Sequence, residues 1–385
     1  MMMLRLRTLS LVIATALLAS APAAADIKSF NTAMQAGNFK LAASEAAATW
    51  PTLDKTRDDL PIIAREFGFA AYMSGDFAAA RTFATEALKE TGDTPAAAAS
   101  RVQSTVLLRA AEHRSGATDQ TRDALVGALR ARAALPGLDG ISFIAAQAAV
   151  NYDFGKARWA PAHESSGIAK TLAEAGGPAY RVPALRFEMV QAAALHATAT
   201  GTSGFDRLDA LRKLLMREID MAPSDAAAQA FVPLYWEVAA WSNAARPFAR
   251  TQQNGRNNTV GAASTTGALE GAADDARSRR LLYLDAEGAC KVRPSPGELP
   301  RARRFEGDDR FTATATIVFD VDERGGLFNV RSLASVPDAA LGVALADLLS
   351  KDKDWKMTRG ENWTSSCSLA RANYSFTWIF GRPPS

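Results

Sequence analysis

Residues 312–328 read TATATIVFDVDERGGLF, and this stretch decides how the C-terminal part of the chain folds. Ala313, Ala315, Ile317, Phe319 and Val321 alternate with Thr312, Thr314, Thr316, Val318 and Asp320. A period of two carried by β-branched and aromatic residues predicts a strand with one buried face. Asp322, Glu323, Arg324, Gly325 and Gly326 supply a turn, because glycine reaches positive φ without a steric penalty. A second strand over residues 327–333 completes a hairpin. Ser335-Val336-Pro337-Asp338 has the form of a capping box with proline in the first helical turn. The helix it opens carries an apolar stripe of Leu341, Ala344, Leu345 and Leu348. After Trp355 and a polar loop comes a last strand over residues 373–380, with Tyr374, Phe376, Trp378 and Phe380 on one face. The order is strand, strand, helix, strand.

That ordered set resembles the C-terminal domain of TonB, the periplasmic energy transducer, over roughly residues 300–381. The marks are Pro300, the hairpin FDVDERGGLFNV, the segment SLASVPDAALGVALADLL with its following Trp355, and the closing YSFTWIF. Leu299 stands where the family has tyrosine, and the loop after Trp355 is long and polar. Domains of this family contact outer-membrane receptors by adding a receptor segment to a sheet edge. The resemblance therefore implies a partner-binding edge on the final strand: Ser375, Phe376, Thr377, Trp378, Ile379 and Phe380.

Upstream, residues 26–250 are helical by pattern. Gly37-Asn38-Phe39 and Gly75-Asp76-Phe77 each separate two apolar stretches, and Ala42 and Ala80 follow three residues after the aromatic. These are turn and close-packing positions of a helix–turn–helix unit, and they resemble the tetratricopeptide repeat. In the second unit Gly68, Gly75, Phe77, Ala80 and Ala87 fit that pattern, with Phe83 one place from the aromatic expected at Ala84. Later pairs are degenerate. Each pair leaves an apolar face that only a neighbouring pair can cover, so a stacked solenoid is expected. The fold class is then α+β and multidomain: a tetratricopeptide-like solenoid over residues 26–250, a polar linker over 251–276, and a small β-β-α-β domain over 277–385.

Residues 1–25 have the form of a cleaved targeting segment: Arg5 and Arg7, an apolar core from Leu9 to Ala19, and Ala23-Ala24-Ala25 before Asp26. The apolar core spans about 17 Å as helix, well short of a ~30 Å bilayer core. A periplasmic protein without a stable membrane span in its mature chain is the expectation. The rival is a retained N-terminal anchor.

The 385 residues carry a formal net charge of +3, too little to argue for nucleic-acid binding. No phosphate-loop, dinucleotide or nucleophile-elbow motif is present. His113, His163 and His196 fall on different helices without other ligands at metal spacing. No catalytic residue, metal or cofactor is expected. Arg301, Arg303, Arg304 and Arg310 form the densest basic patch, read either as a solvated face or as a contact for acidic partners. Cys290 and Cys367 are the two cysteines; export would let them form a disulfide, and two buried thiols are the alternative. These features point to an envelope protein-interaction adaptor. An energy transducer with a retained first helix and an envelope assembly scaffold are the competing expectations.

Overall fold

In the computed structural model the chain is mostly helical, with a small antiparallel sheet towards its C-terminus. The structure describes residues 24–92, 94–254, 277–282, 292–293, 310–321, 327–351, 358–359 and 371–378. It divides into two compact units, Met1–Ala184 and Leu185–Ser385.

In the first unit α1 (Ala24–Gln35) and α2 (Phe39–Thr49) are followed by α3 (Leu60–Ser74) and α4 (Phe77–Glu90), then α5 (Ala98–Ser115) and α6 (Asp119–Ala133), then α7 (Gly140–Gly155) and α8 (Trp159–Ala175). The turns form for local reasons. Gly37 and Gly75 take φ of 67° and 91°, the left-handed region that glycine enters freely. The next residue caps the following helix: Asn38 Oδ1 accepts from Leu41 N–H at 3.2 Å, and Asp76 Oδ1 from Ala79 N–H at 2.9 Å. Each helix packs on its successor, and α3 also meets α5, α5 meets α7, and α6 meets α8.

Small residues let these helices approach closely. Ala42, Ala46, Ala64, Ala80, Ala84 and Ala87 are wholly buried. A Cβ at Gly68 would lie 2.7 Å from Leu107 Cδ2 and 3.2 Å from Phe83 Cβ, so α3, α4 and α5 meet at that glycine. Phe83 fills the space beside Trp50 and Phe67, with ring centroids 5.5 and 5.7 Å apart.

The unit boundary falls inside α9 (Arg181–Thr198). The second unit continues with α10 (Ser203–Met221), α11 (Asp225–Gln229), α12 (Val232–Asn254) and α13 (Arg277–Leu281). After these come β1 (Val292–Arg293), β2 (Ala313–Val321), β3 (Leu327–Val336), α14 (Ala339–Lys351), β4 (Thr358–Arg359) and β5 (Arg371–Trp378). Helices that the sequence groups with the N-terminal solenoid thus share a compact unit with the sheet. The helix α12 packs on β2, β3 and β5. Thr312 N–H donates to the Ala244 carbonyl at 3.0 Å, and the Trp241 and Phe311 rings stand 5.1 Å apart. Moreover, α12 runs on to Asn254, four residues into the expected linker; residues 255–276 lie outside the described residues.

The main sheet has the order β3-β2-β5, all antiparallel, and β1 pairs with β4 as a separate short ribbon. The central strand differs from its expectation of one buried face. Ala313, Ala315, Ile317 and Phe319 are buried, and so are Thr314, Thr316, Val318 and Asp320 on the other side. Helix α14 covers the first set: its Gly342 abuts Ser332, the cross-strand partner of Ile317. The remaining helix in contact with β2 and β3 is α12, which covers the second.

The expected capping box at Ser335 is also displaced. Strand β3 extends through Val336, paired with Thr314, so Ser335 belongs to the sheet. Asp338 is the cap instead, its Oδ1 accepting from Leu341 N–H at 3.0 Å. Ser335 Oγ braces this turn, donating to the Asp338 carbonyl at 2.6 Å and accepting from Gly342 N–H at 3.2 Å. The later start rotates the buried stripe of α14 to Leu341, Gly342, Leu345, Ala346 and Leu349, leaving Ala344 exposed. Among the described residues no helix is long and apolar enough to cross a membrane.

Candidate interaction edge

The sheet of the second unit has two outer strands, β3 and β5, and they differ in kind. Strand β5 pairs with β2 at eight consecutive positions without a break, from Ala313 opposite Trp378 to Asp320 opposite Arg371. Strand β3 pairs with the other side of β2 through two register irregularities, one between Thr316 and Ile317 and one between Val318 and Asp320. At the second, Asn329 takes φ of 53°, rare for a residue with a side chain, and its Nδ2 donates to Asp320 Oδ2 at 2.8 Å. Bulges bend an edge and interrupt its row of donors and acceptors, which is how sheets blunt an edge against pairing. The β5 edge is straight in register, and among the described residues no strand pairs with its outer side.

Ser375, Phe376, Thr377 and Trp378 therefore stand on a regular outer strand, opposite Thr316, Ala315, Thr314 and Ala313. Ile379 and Phe380 lie outside the described residues, as do Cys290, Cys367, Arg301, Arg303 and Arg304.

Arg310 is described, and it is not a free member of a basic face. Its Nη1 donates to the His196 carbonyl at 3.2 Å and the Ala199 carbonyl at 2.6 Å, at the C-terminal end of α9. A cation there satisfies carbonyls that the helix leaves open and complements its dipole. The guanidinium also lies over the Phe248 ring, 5.6 Å from its centroid.

Two polar clusters escaped the sequence. In the first unit Asp153, wholly buried on α7, accepts from Arg122 Nε of α6 at 2.8 Å and from Ser165 Oγ of α8 at 2.9 Å. Arg122 also reaches the Pro161 carbonyl at 2.8 Å and Glu164 at 3.2 Å. In the second unit His196, Phe248, Phe311 and Arg310 gather where the chain approaches β2. No local pattern announces either cluster, since the partners come from segments far apart in the sequence. A recess of about 180 Å³ beside Glu174, Pro178, Tyr180 and Arg181 is below the usual size of a small-molecule site.

No protein family, curated protein or solved structure matches this chain.

Proposed function

We propose that this protein is a protein-interaction adaptor of the bacterial periplasm that takes a partner segment onto the outer edge of β5. The observation that carries this reading is the contrast between the two edges. One outer strand is regular over eight paired residues; the other is twice interrupted. An added strand needs alternate N–H and C=O groups at even spacing, and β5 offers them. Leaving aside the two-residue β4 between α14 and β5, the element order β2, β3, α14, β5 is also that of the TonB-like unit inferred from the sequence.

The helices of the first unit act as a second contact surface, read as a tetratricopeptide-like stack. Support comes from the contacts between helices two apart, from the close approach at Gly68, and from the paired Gly37 and Gly75 turns. Export through a cleaved N-terminal segment places the mature chain in the periplasm, where Cys290 and Cys367 form a disulfide. The adaptor binds rather than catalyses.

A proline scan along β5 tests the edge. In an antiparallel ladder, alternate residues aim both N–H and C=O at one neighbour. Proline at Asn373, Ser375 and Thr377 and proline at Tyr374 and Phe376 should divide into two classes. Where the N–H faces β2, the sheet is damaged; where it faces outward, the fold survives and partner capture is lost. If every folded variant captures its partners as the parent does, the edge is not the binding surface.

A further inference from the structure

His196 stands in the last turn of α9 and is 1% exposed. Its Nε2 lies 3.1 Å from the Arg310 carbonyl, so the fitting tautomer carries its proton on Nε2 and donates there. Nδ1 is buried, with no hydrogen-bond partner among the described residues. The ring packs perpendicular to Phe248, centroids 5.5 Å apart, and tilted against Phe311 at 4.9 Å. Gly204 of α10 lies so close to the His196 backbone that a Cβ there would lie 2.2 Å from His196 N. Arg310 returns the contact to the His196 carbonyl, and Thr312 is bonded to Ala244 of α12 through both its N–H and its Oγ1. Residues 310–312 are thus tied to α9 and α12 at the point where the chain passes into β2.

We propose that His196 is an acid-sensitive latch, holding the segment before β2 against α9 while its imidazole is neutral and loosening it when the ring is protonated. Protonation would turn Nδ1 into a donor with no acceptor among the described residues, inside an aromatic cage. It would also set a second cation beside the Arg310 guanidinium. Among the described residues Arg310 is the charged group that faces the ring; Phe248 of α12 and Phe311 pack on it, and neither titrates.

The direction of titration agrees. Burial pushes the imidazole below the ordinary histidine range, outweighing the opposing bond to the Arg310 carbonyl, and the Arg310 guanidinium adds to the downward push. The folded chain therefore binds this proton less readily than the unfolded chain. The contribution is complete above the unfolded value of ~6.5 and declines as pH falls from there towards the lowered folded value.

The test uses the full-length chain. Between pH 7.5 and 5.5, a histidine that stays neutral when folded lowers the folding equilibrium constant by up to about tenfold. His196→Gln keeps an N–H donor for the Arg310 carbonyl but cannot titrate. Unfolding of the second unit, followed by exchange of the β2 amides, should weaken more steeply with acid in the parent than in this variant. The comparison matters because burial also pushes His113 down in the first unit. Two measurements on the parent need no variant. The ring resonance of His196 should titrate below ~6.5, and the Thr312 amide should open faster at pH 5.5 than at pH 7.5 once intrinsic exchange is corrected. A His196 ring titrating at or above the ordinary value overturns the latch. So does equal acid sensitivity of parent and His196→Gln, or a Thr312 amide whose opening ignores pH.

Discussion

Asp153→Ala should destabilise the first unit by about 3 kcal/mol or more, because it strands a buried cation. Arg122 keeps only 4% of its side chain exposed, and its Nη2 lies 2.7 Å from the Asp153 carboxylate, which is fully buried. Breaking such a pair by removing one member typically costs ~3–5 kcal/mol, since the remaining charge has lost both water and partner. The lower end of that range applies. Arg122 retains Glu164 at 3.2 Å, Asp123 at 2.9 Å and the Pro161 carbonyl. Amide exchange in α6, α7 and α8 reads the result, and protection should fall by roughly a hundredfold or more. The double variant Arg122→Met with Asp153→Leu should recover most of the loss, because an apolar pair of similar bulk leaves no uncompensated charge. A single variant as stable as the parent would show that the carboxylate is not what holds these three helices together.

Gly204→Ala should be nearly as severe in the second unit, about 3 kcal/mol. The new methyl would lie 2.2 Å from His196 N, 2.4 Å from its Cα and 2.6 Å from its Cβ. None of these atoms can swing away as a side-chain tip would. Either α10 shifts outward or the last turn of α9 deforms, and both displace the His196 ring from the Arg310 carbonyl. Ser203→Ala, at an exposed position one residue away, should change stability by less than ~0.5 kcal/mol. Thermal unfolding of the two variants side by side tests this. Equal melting temperatures would mean that α9 and α10 are not packed as closely as described.

What could be read from the sequence depended on how local its cause was. The turns at Gly37-Asn38 and Gly75-Asp76 were legible because three consecutive residues contain the whole mechanism, positive φ followed by a side-chain cap. The strand at residues 313–321 was legible from its period of two. Its second buried face was not, because the cover comes from α12, and Thr314 and Thr316 look polar by composition. Ser335 and Asp338 are both good caps, and the choice between them turns on how far β2 holds β3 in register. Bulges in β3 have no glycine to mark them; Asn329 is the only local sign. Arg122 with Asp153, 31 residues apart, and His196 with Arg310, 114 apart, are meetings made by tertiary packing alone. The candidate edge was legible as a final strand. That it is the regular one of two edges emerged only with the pairing on both sides of β2.

The most direct test of the adaptor reading places a photo-activated cross-linking residue, one at a time, along both outer strands in cells of a host that expresses the full chain. Positions Asn373, Tyr374, Ser375, Phe376 and Thr377 sample β5, and Phe328, Val330 and Arg331 sample β3. Cross-links to a second protein should form from β5 and not from β3, with the yield alternating along β5 as strand pairing requires. Equal yields from both strands, or cross-links confined to β3, would contradict strand addition at β5.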